Sequence, residues 1–403
     1  MDRVRVVHVI TRFDKGGSAE NTFLTVTGLD PARYETYLLA GSDGQDTAAA
    51  VSTPSAESAA AEENMARVQA AGVKTFIVPE LVRPVAPLRD LRAFLRIRGL
   101  IRRLAPQIVH THTSKAGIIG RLAAFSAGVP VVVHTPHGHV FWGYFGAVAS
   151  RFFITLEKSA SRLTDRLIML TGQEKADHLR YRIAPPDKFV VIHSGVCLEP
   201  FLQITIADRR PDSDPAFPPD SFVIGTIGRL TAIKGQSYLL EAAAGLLREI
   251  PELICIIVGE GELRRELAAR AASLGMGERA FFPGWRRDVP SYMAALDLFV
   301  MPSLNEGMGR VVVEAMAAGR AVIASDVGGL RDLVVHGENG LLVPPGNAAA
   351  LAAAIRTLYR DPKRRRIMGQ NGRMKAPAFS AAAMIKKIDE LYMNLLREKH
   401  VCR

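Results

Sequence analysis

The chain has 403 residues, 48% of them hydrophobic, and a formal net charge of +11. At roughly 100–200 residues per domain, that length excludes a single ordinary core and predicts two domains. Its three cysteines, Cys197, Cys255 and Cys402, are too few and too scattered for a disulfide framework or a thiolate metal site, which points to a reducing compartment. The positive charge is compatible with nucleic acid, an anionic membrane or phosphorylated substrates. No basic motif is interleaved with aromatic residues, so nucleic acid is excluded.

In chain order, the first β-like run is Val4 to Ile10, with no apolar leader ahead of it. No uninterrupted apolar stretch of about 18 residues follows, so a cytoplasmic protein is expected, soluble or peripheral at the inner face of the plasma membrane. Thr36 to Leu39, Thr75 to Val78, Ile108 to His110, Val131 to His134 and Leu167 to Leu170 are further β-like runs alternating with helical patterns, which predicts a parallel sheet covered by helices. The Ala/Ser/Thr-rich stretch from Thr47 to Ala61 reads as a loop entering a helix that ends near Gly72. From Arg83 to Arg103 seven arginines face one acid, Asp90, and alternate with leucines in an amphipathic helical pattern beyond Pro87. Such a helix either packs on the sheet with a solvated outer face or also touches anionic lipid head groups.

Pro and Asp accumulate between Gly195 and Asp220, so a linker is placed at 201–220 between an N-terminal domain, 1–200, and a C-terminal domain, 221–379. Phe222 to Ile227, Leu253 to Val258, Ala280 to Phe282, Leu298 to Met301 and Ala321 to Ser325 restart the alternation. The predicted fold class is therefore α/β, with two Rossmann-like domains facing a central cleft. An amphipathic stretch, Ala381 to Leu396, lies beyond a break at Pro377, and residues 380–403 are expected to pack back on the first domain.

Two loops carry the chemistry. In Asn305-Glu306-Gly307-Met308-Gly309-Arg310, running on to Glu314, two carboxylates flank the start of a helix. The glycines admit a ligand to the backbone, and helix-start N–H groups suit a diphosphate. An acid favouring the helix dipole plus a solvated Glu is the plainer reading of such a pair. Gly228-Arg229-Leu230 and Lys234-Gly235 place two cations in the loop after the second domain's first strand, where a pyrophosphate or an acid in a loop ion pair would match them.

These residues resemble the retaining family-4 glycosyltransferases of GT-B fold. The resemblance extends through Gly16-Gly17, Val109 to His112, Thr135-Pro136-His137-Gly138, Ser194-Gly195-Val196, Val258-Gly259-Glu260-Gly261 and Gly340 to Gly346. More narrowly, His110 to Phe141 is similar to bacterial enzymes of surface-polysaccharide and lipid-linked glycan assembly. The resemblance implies that Arg229 and Lys234 hold the donor diphosphate, Glu306 binds donor-sugar hydroxyls and Glu314 the ribose. Gly228, Gly259, Gly307, Met308, Gly309 and Arg310 then belong to the donor site, and Gly16 and Gly17 to a glycine loop beside the phosphate, where an ordinary strand-to-helix turn is the plainer reading. His137 matches a family histidine near the transferred sugar, while His110, His112 and His139 are left to structure or acceptor contacts.

The implied reaction is metal-independent and cofactor-free transfer of a hexose-type sugar from a UDP- or GDP-linked donor. The acceptor would be a glycan or a polyprenyl-linked sugar, with an anionic membrane surface as a further partner. Gly284 to Val289 is the place to look for base contacts. A dehydrogenase is excluded because Gly259-Glu260-Gly261 leads to Arg264 where a third glycine belongs. A sugar-nucleotide epimerase and a non-catalytic nucleotide-sugar-binding subunit stay open as alternatives.

Overall fold

A computed structural model describes residues 3–13, 16–42, 56–138, 147–204, 217–218 and 220–401. The stretch His139 to Phe141, the start of the Ala/Ser/Thr-rich segment, residues 205–216 of the expected linker and Cys402 lie outside them. The chain forms two compact units, one up to Gly195 and again from Ala381, the other Val196–Ser380.

Unit 1 is built on seven parallel strands: β1 (Val4–Ile10), β2 (Tyr34–Gly41), β3 (Lys74–Val78), β4 (Ile108–His112), β5 (Val131–Thr135), β6 (Arg166–Met169) and β7 (Phe189–Val191), in the order 3-2-1-4-5-6-7. Unit 2 repeats the plan with β8 (Phe222–Ile227), β9 (Leu253–Val258), β10 (Ala280–Gly284), β11 (Leu298–Met301), β12 (Ala321–Ser325) and β13 (Gly340–Val343), in the order 10-9-8-11-12-13. Helices cover both faces of each sheet, so the central strands of unit 2 are largely apolar, whereas those of unit 1 bury His8, His110, His112 and His134 among their apolar residues. In each unit the strand order reverses at the first strand, between β1 and β4 and between β8 and β11. Open α/β sheets bind ligands beyond the carboxyl ends of their strands at such a point. The edge strands β7 and β13 were not anticipated as strands: runs of 3 and 4 residues carry no readable periodicity.

The chain passes into unit 2 at Val196, ahead of the expected 201–220 segment. Val196, Leu198, Phe201 and Ile204 are buried in the unit 2 core, and Arg373 donates to the carbonyls of Leu202 and Ile204. Composition cannot locate such a boundary, because what fixes it is which core the apolar side chains enter. The C-terminal helix Ala381–Glu398 belongs to unit 1: Met384, Ile388, Tyr392, Leu395 and Leu396 form one stripe against Val4, Val6, Leu24, Ile108 and Val131. Asp389 on the same helix accepts from Tyr34 Oη at 2.6 Å and Arg33 Nη1 at 2.7 Å.

A buried ion pair ties two helices of unit 1. Arg121 on Ser114–Ser126 donates through both terminal nitrogens, at 2.7 and 2.8 Å, to the two carboxylate oxygens of Glu157 on Ala147–Ser161. The Arg121 side chain has no exposed surface. Glu157→Ala should therefore cost about 3–5 kcal/mol, because it strands a buried guanidinium. Urea unfolding of wild type and variant measures the difference, and a change under about 1 kcal/mol would show that the pair contributes little.

Among the described residues no helix is long and apolar enough to cross a membrane.

Candidate active site

In unit 2 the two strands at the switch point supply the two predicted loops. Gly228 and Arg229 follow β8; a short turn, Ala232–Lys234, then leads to Gly235, which has φ 65°. A Cβ there would collide with the carbonyl oxygen of Pro302, in the loop after β11. The backbones of the two loops also meet directly, Leu304 N–H donating to Ile233 C=O at 2.8 Å. This contact brings Lys234 to Glu306: Nζ lies 2.5 Å from Oε2, with the side chains 25% and 12% exposed. Ser303 Oγ donates to the same Oε2 at 3.2 Å.

Arg229 is exposed in this loop, and its carbonyl accepts from the buried Gln236 side chain at 3.0 Å. Gly228 and Gly259 lie back to back at the ends of β8 and β9, where a Cβ on Gly259 would strike the Gly228 carbonyl oxygen. From Glu306 the chain passes Gly307, beside which there is open space, to Gly309, which caps the helix Arg310–Ala317 without a side-chain hydrogen bond. Met308 is buried in the core, so its side chain faces away from solvent, whereas Arg310 and Glu314 are partly exposed. The Glu306 backbone is held from behind: its carbonyl accepts from Gly329 N–H at 3.1 Å.

The other predicted residues lie in unit 1. Gly16 and Gly17 stand at the start of the helix Gly17–Gly28 that follows β1, with open space beside both. His137 follows β5 at φ 59°, a left-handed conformation uncommon for a residue other than glycine. Its Nε2 lies 3.0 Å from Nδ1 of His112 at the end of β4, and His112 Nε2 lies 3.0 Å from Nδ1 of His8 in β1. His110 is bonded separately, Nδ1 to Tyr392 Oη at 2.6 Å and Nε2 to Thr135 Oγ1 at 2.8 Å. Burial holds these rings neutral, pushing His8 and His137 down to about 3 and His110 and His112 well below the usual imidazole range.

Sequence reasoning missed His8, which looks like one polar residue in an apolar strand, and also Glu174. Thr171 caps the helix Gly172–Arg180 by accepting from Glu174 N–H, a spacing that reads as an ordinary capping box. The Glu174 carboxylate instead accepts from Gly138 N–H at 3.0 Å and Leu170 N–H at 2.7 Å, holding the turn next to His137. Burial raises its pKa to about 7 against the opposing effect of those two bonds. The nitrogens of His8, His110 and His112 lie within 4.8 Å of one another, a spacing open to a metal ion. The interlocking hydrogen bonds already engage most of those nitrogens.

The chain is similar to known proteins over most of its length. Residues 15–200 match the family model described as Glycosyltransferase Family 4, and residues 209–375 the model described as Glycosyl transferases group 1. The chain is 33% identical to the Escherichia coli UDP-Gal:alpha-D-GlcNAc-diphosphoundecaprenol alpha-1,3-galactosyltransferase, over 81% of this chain and 85% of that one. It is 26% identical to the capsular polysaccharide biosynthesis glycosyltransferase CapM of Staphylococcus aureus, over 80% and 85% of the two chains. Among solved structures it is similar to Alr3699/HepE of Anabaena in complex with UDP, with TM-score 0.78 and 22% identity over 97% of this chain and 100% of that one.

Proposed function

This chain belongs to the family-4 glycosyltransferases, and from that premise we propose that it moves a hexose-type sugar from a nucleoside-diphosphate sugar to a glycan or polyprenyl-linked acceptor, with retention at the anomeric carbon. The observation that carries this reading is the meeting of Lys234 and Glu306 at the switch point of the unit 2 sheet, in loops that also hold Arg229 and the helix start at Gly309.

In the proposed reaction, a bound diphosphate takes the place of Glu306 as the partner of Lys234. Glu306 then accepts hydrogen bonds from sugar hydroxyls, and Glu314 from the ribose. Arg229 grips two phosphate oxygens, and amides from Gly307 to Arg310 add their dipoles, so the charge of the departing diphosphate is balanced without a metal ion. The acceptor hydroxyl attacks the same face as the glycosidic bond breaks, and its proton passes to the leaving phosphate. Glu306 binds and orients; it is not assigned as a base.

The name of the E. coli relative couples UDP-Gal with a diphosphoundecaprenol-linked sugar, which supports a uridine donor and a lipid-linked acceptor in surface-glycan synthesis. Thermal unfolding with a panel of nucleoside diphosphates and nucleotide sugars tests this. At about 100 times its dissociation constant the cognate ligand should stabilise wild type by roughly 2.7 kcal/mol, and Arg229→Ala should abolish the shift. If no ligand shifts the wild type, a partner-dependent binding subunit becomes the better reading.

With a lipid-linked acceptor we place the enzyme at the inner membrane face, a reading that the helix Pro87–Leu104 supports. Ala93, Ile97 and Ile101 face the core, while Leu88, Leu91 and Leu95 form a stripe on the opposite side, 76%, 56% and 54% exposed. Arg89, Arg92 and Arg96 flank the stripe, and the neighbouring helix exposes Phe125. Single exposed leucines are common, but a basic-flanked stripe suits anionic lipid. Wild type should sediment with phosphatidylglycerol vesicles at low salt, and Leu91→Ser with Arg89→Gln and Arg92→Gln should not. Equal sedimentation of the two proteins would refute the docking.

A further inference from the structure

Buried polar atoms without a partner call for an explanation. His8, His112 and His137 form a row joined by two ring–ring hydrogen bonds of 3.0 Å, and the buried atoms at its two ends, His8 Nε2 and His137 Nδ1, have no hydrogen-bond partner among the described residues. A neutral imidazole carries one N–H and one lone pair, and each bond between rings needs one of each. If His112 donates through Nε2, its Nδ1 must accept; His137 then donates through Nε2, and His8 accepts at Nδ1. All three rings are then Nε2–H. Reversing one bond forces the other to reverse with it, and all three rings are then Nδ1–H. No mixed set preserves both bonds.

We propose that His112 and His8 are positioning residues for His137, holding it in a three-ring chain whose tautomers change together, so that Nδ1 of His137 is the atom presented to an oxygen of the bound substrate. The role of His137 rests on the transferase reading; the chain itself does not. His110 stands outside it, because its two hydroxyl partners serve either tautomer. The backbone of the turn is anchored independently, by Glu174 on Gly138 N–H.

The two ends decide which register a ligand selects. In the Nε2–H register the unpartnered N–H lies at His8, inside the sheet and out of reach of water or ligand. In the Nδ1–H register it lies at His137 Nδ1, which is likewise buried in the ligand-free chain but belongs to a partly exposed residue in the turn at the carboxyl end of β5, where a small shift of the turn opens it to a sugar or phosphate oxygen. An acceptor oxygen bound there therefore drives all three rings to Nδ1–H, and the change registers as far away as His8.

Side-chain ¹⁵N–¹H correlation spectra of histidine-labelled protein test the chain without reference to turnover. The ligand-free protein should show one tautomer shared by His8, His112 and His137, and UDP-glucose should leave all three as Nδ1–H. One ring with the opposite tautomer, or a stoichiometric metal ion on these rings in the purified protein, would overturn the proposal.

Two variants test the positioning role. Asparagine at 112 carries its amide where His112 has Nδ1, and glutamine carries it where His112 has Nε2. His112→Asn should hold kcat within about threefold of wild type, while His112→Gln should lose about 10- to 100-fold in kcat with the donor KM little changed. Equal losses in the two variants, at equal melting temperature, would show a merely structural role and overturn it.

Discussion

Between pH 6.5 and pH 5 the protein is expected to lose on the order of 6 kcal/mol of stability, most of what a typical domain possesses. Five histidines of unit 1 are fully buried and held neutral: His8, His110, His112, His134 and His137. Their folded pKa values are depressed, so their stability is fully present above 6.5, the value for the unfolded chain. It is lost as pH falls, because unfolding then takes up a proton at each ring, about 1.4 kcal/mol per pH unit for each. Glu174 works the other way. Its folded pKa is raised from 4.5 to about 7, so its contribution is present at low pH and lost as pH rises through that window. The net uptake on unfolding near pH 5.5 is thus about four protons. The slope of unfolding free energy against pH measures it directly. A slope of one proton or fewer would mean that the rings titrate in the folded state, and Glu174→Gln should steepen the acid loss by about one proton. Unit 2 contains a single histidine, His336.

Lys234→Ala should lower kcat/KM for sugar transfer by about 10²–10³, the usual loss when one fixed donor to a developing charge is removed. Glu306→Gln should act on the same scale, because it weakens the hydroxyl contacts and the partner that holds Lys234 in the ligand-free state. The pair shares one hydrogen bond of 2.5 Å, so the double variant should lose far less than the product of the single losses. Release of nucleoside diphosphate, measured with the donor identified by thermal shift, gives the three rates. Full additivity would show that the two residues act independently and that their pairing has no role in the reaction. Wild-type turnover should be unchanged by EDTA; its loss would mean that a metal ion, not Arg229 and Lys234, balances the diphosphate.

Much of the fold was legible because parallel strands leave a local mark. β8, β9, β11 and β12 are apolar runs bounded by glycine or charged residues, and each was read within a residue of its observed limits. The limits of β4 and β5 were placed short because His112 and Thr135 look like loop residues. They remain in strands because their hydrogen bonds to neighbouring side chains make burial tolerable. The cations of the β8 loop and the acid of the β11 loop were legible as types. That Lys234 and Glu306 touch was not, since 72 residues separate them and their loops are joined by the close approach of Gly235 to Pro302 and by the Leu304 to Ile233 backbone hydrogen bond.

Taken alone, the amino-acid order determined two α/β units, the family, and which residues could serve a diphosphate, because apolar periodicity, glycine turns and charge are properties of short segments. Tertiary structure decided what depends on strand order. It set β1 beside β4 and β4 beside β5, which aligns His8, His112 and His137 into one chain. It returned the C-terminal helix to unit 1, and it joined the Glu174 carboxylate, which also holds Leu170 N–H beside its own helix start, to Gly138 N–H. The physical reason is the same in each case: a hydrogen bond between residues distant in sequence is specified by which strands become neighbours, and the side chains themselves carry no local sign of it.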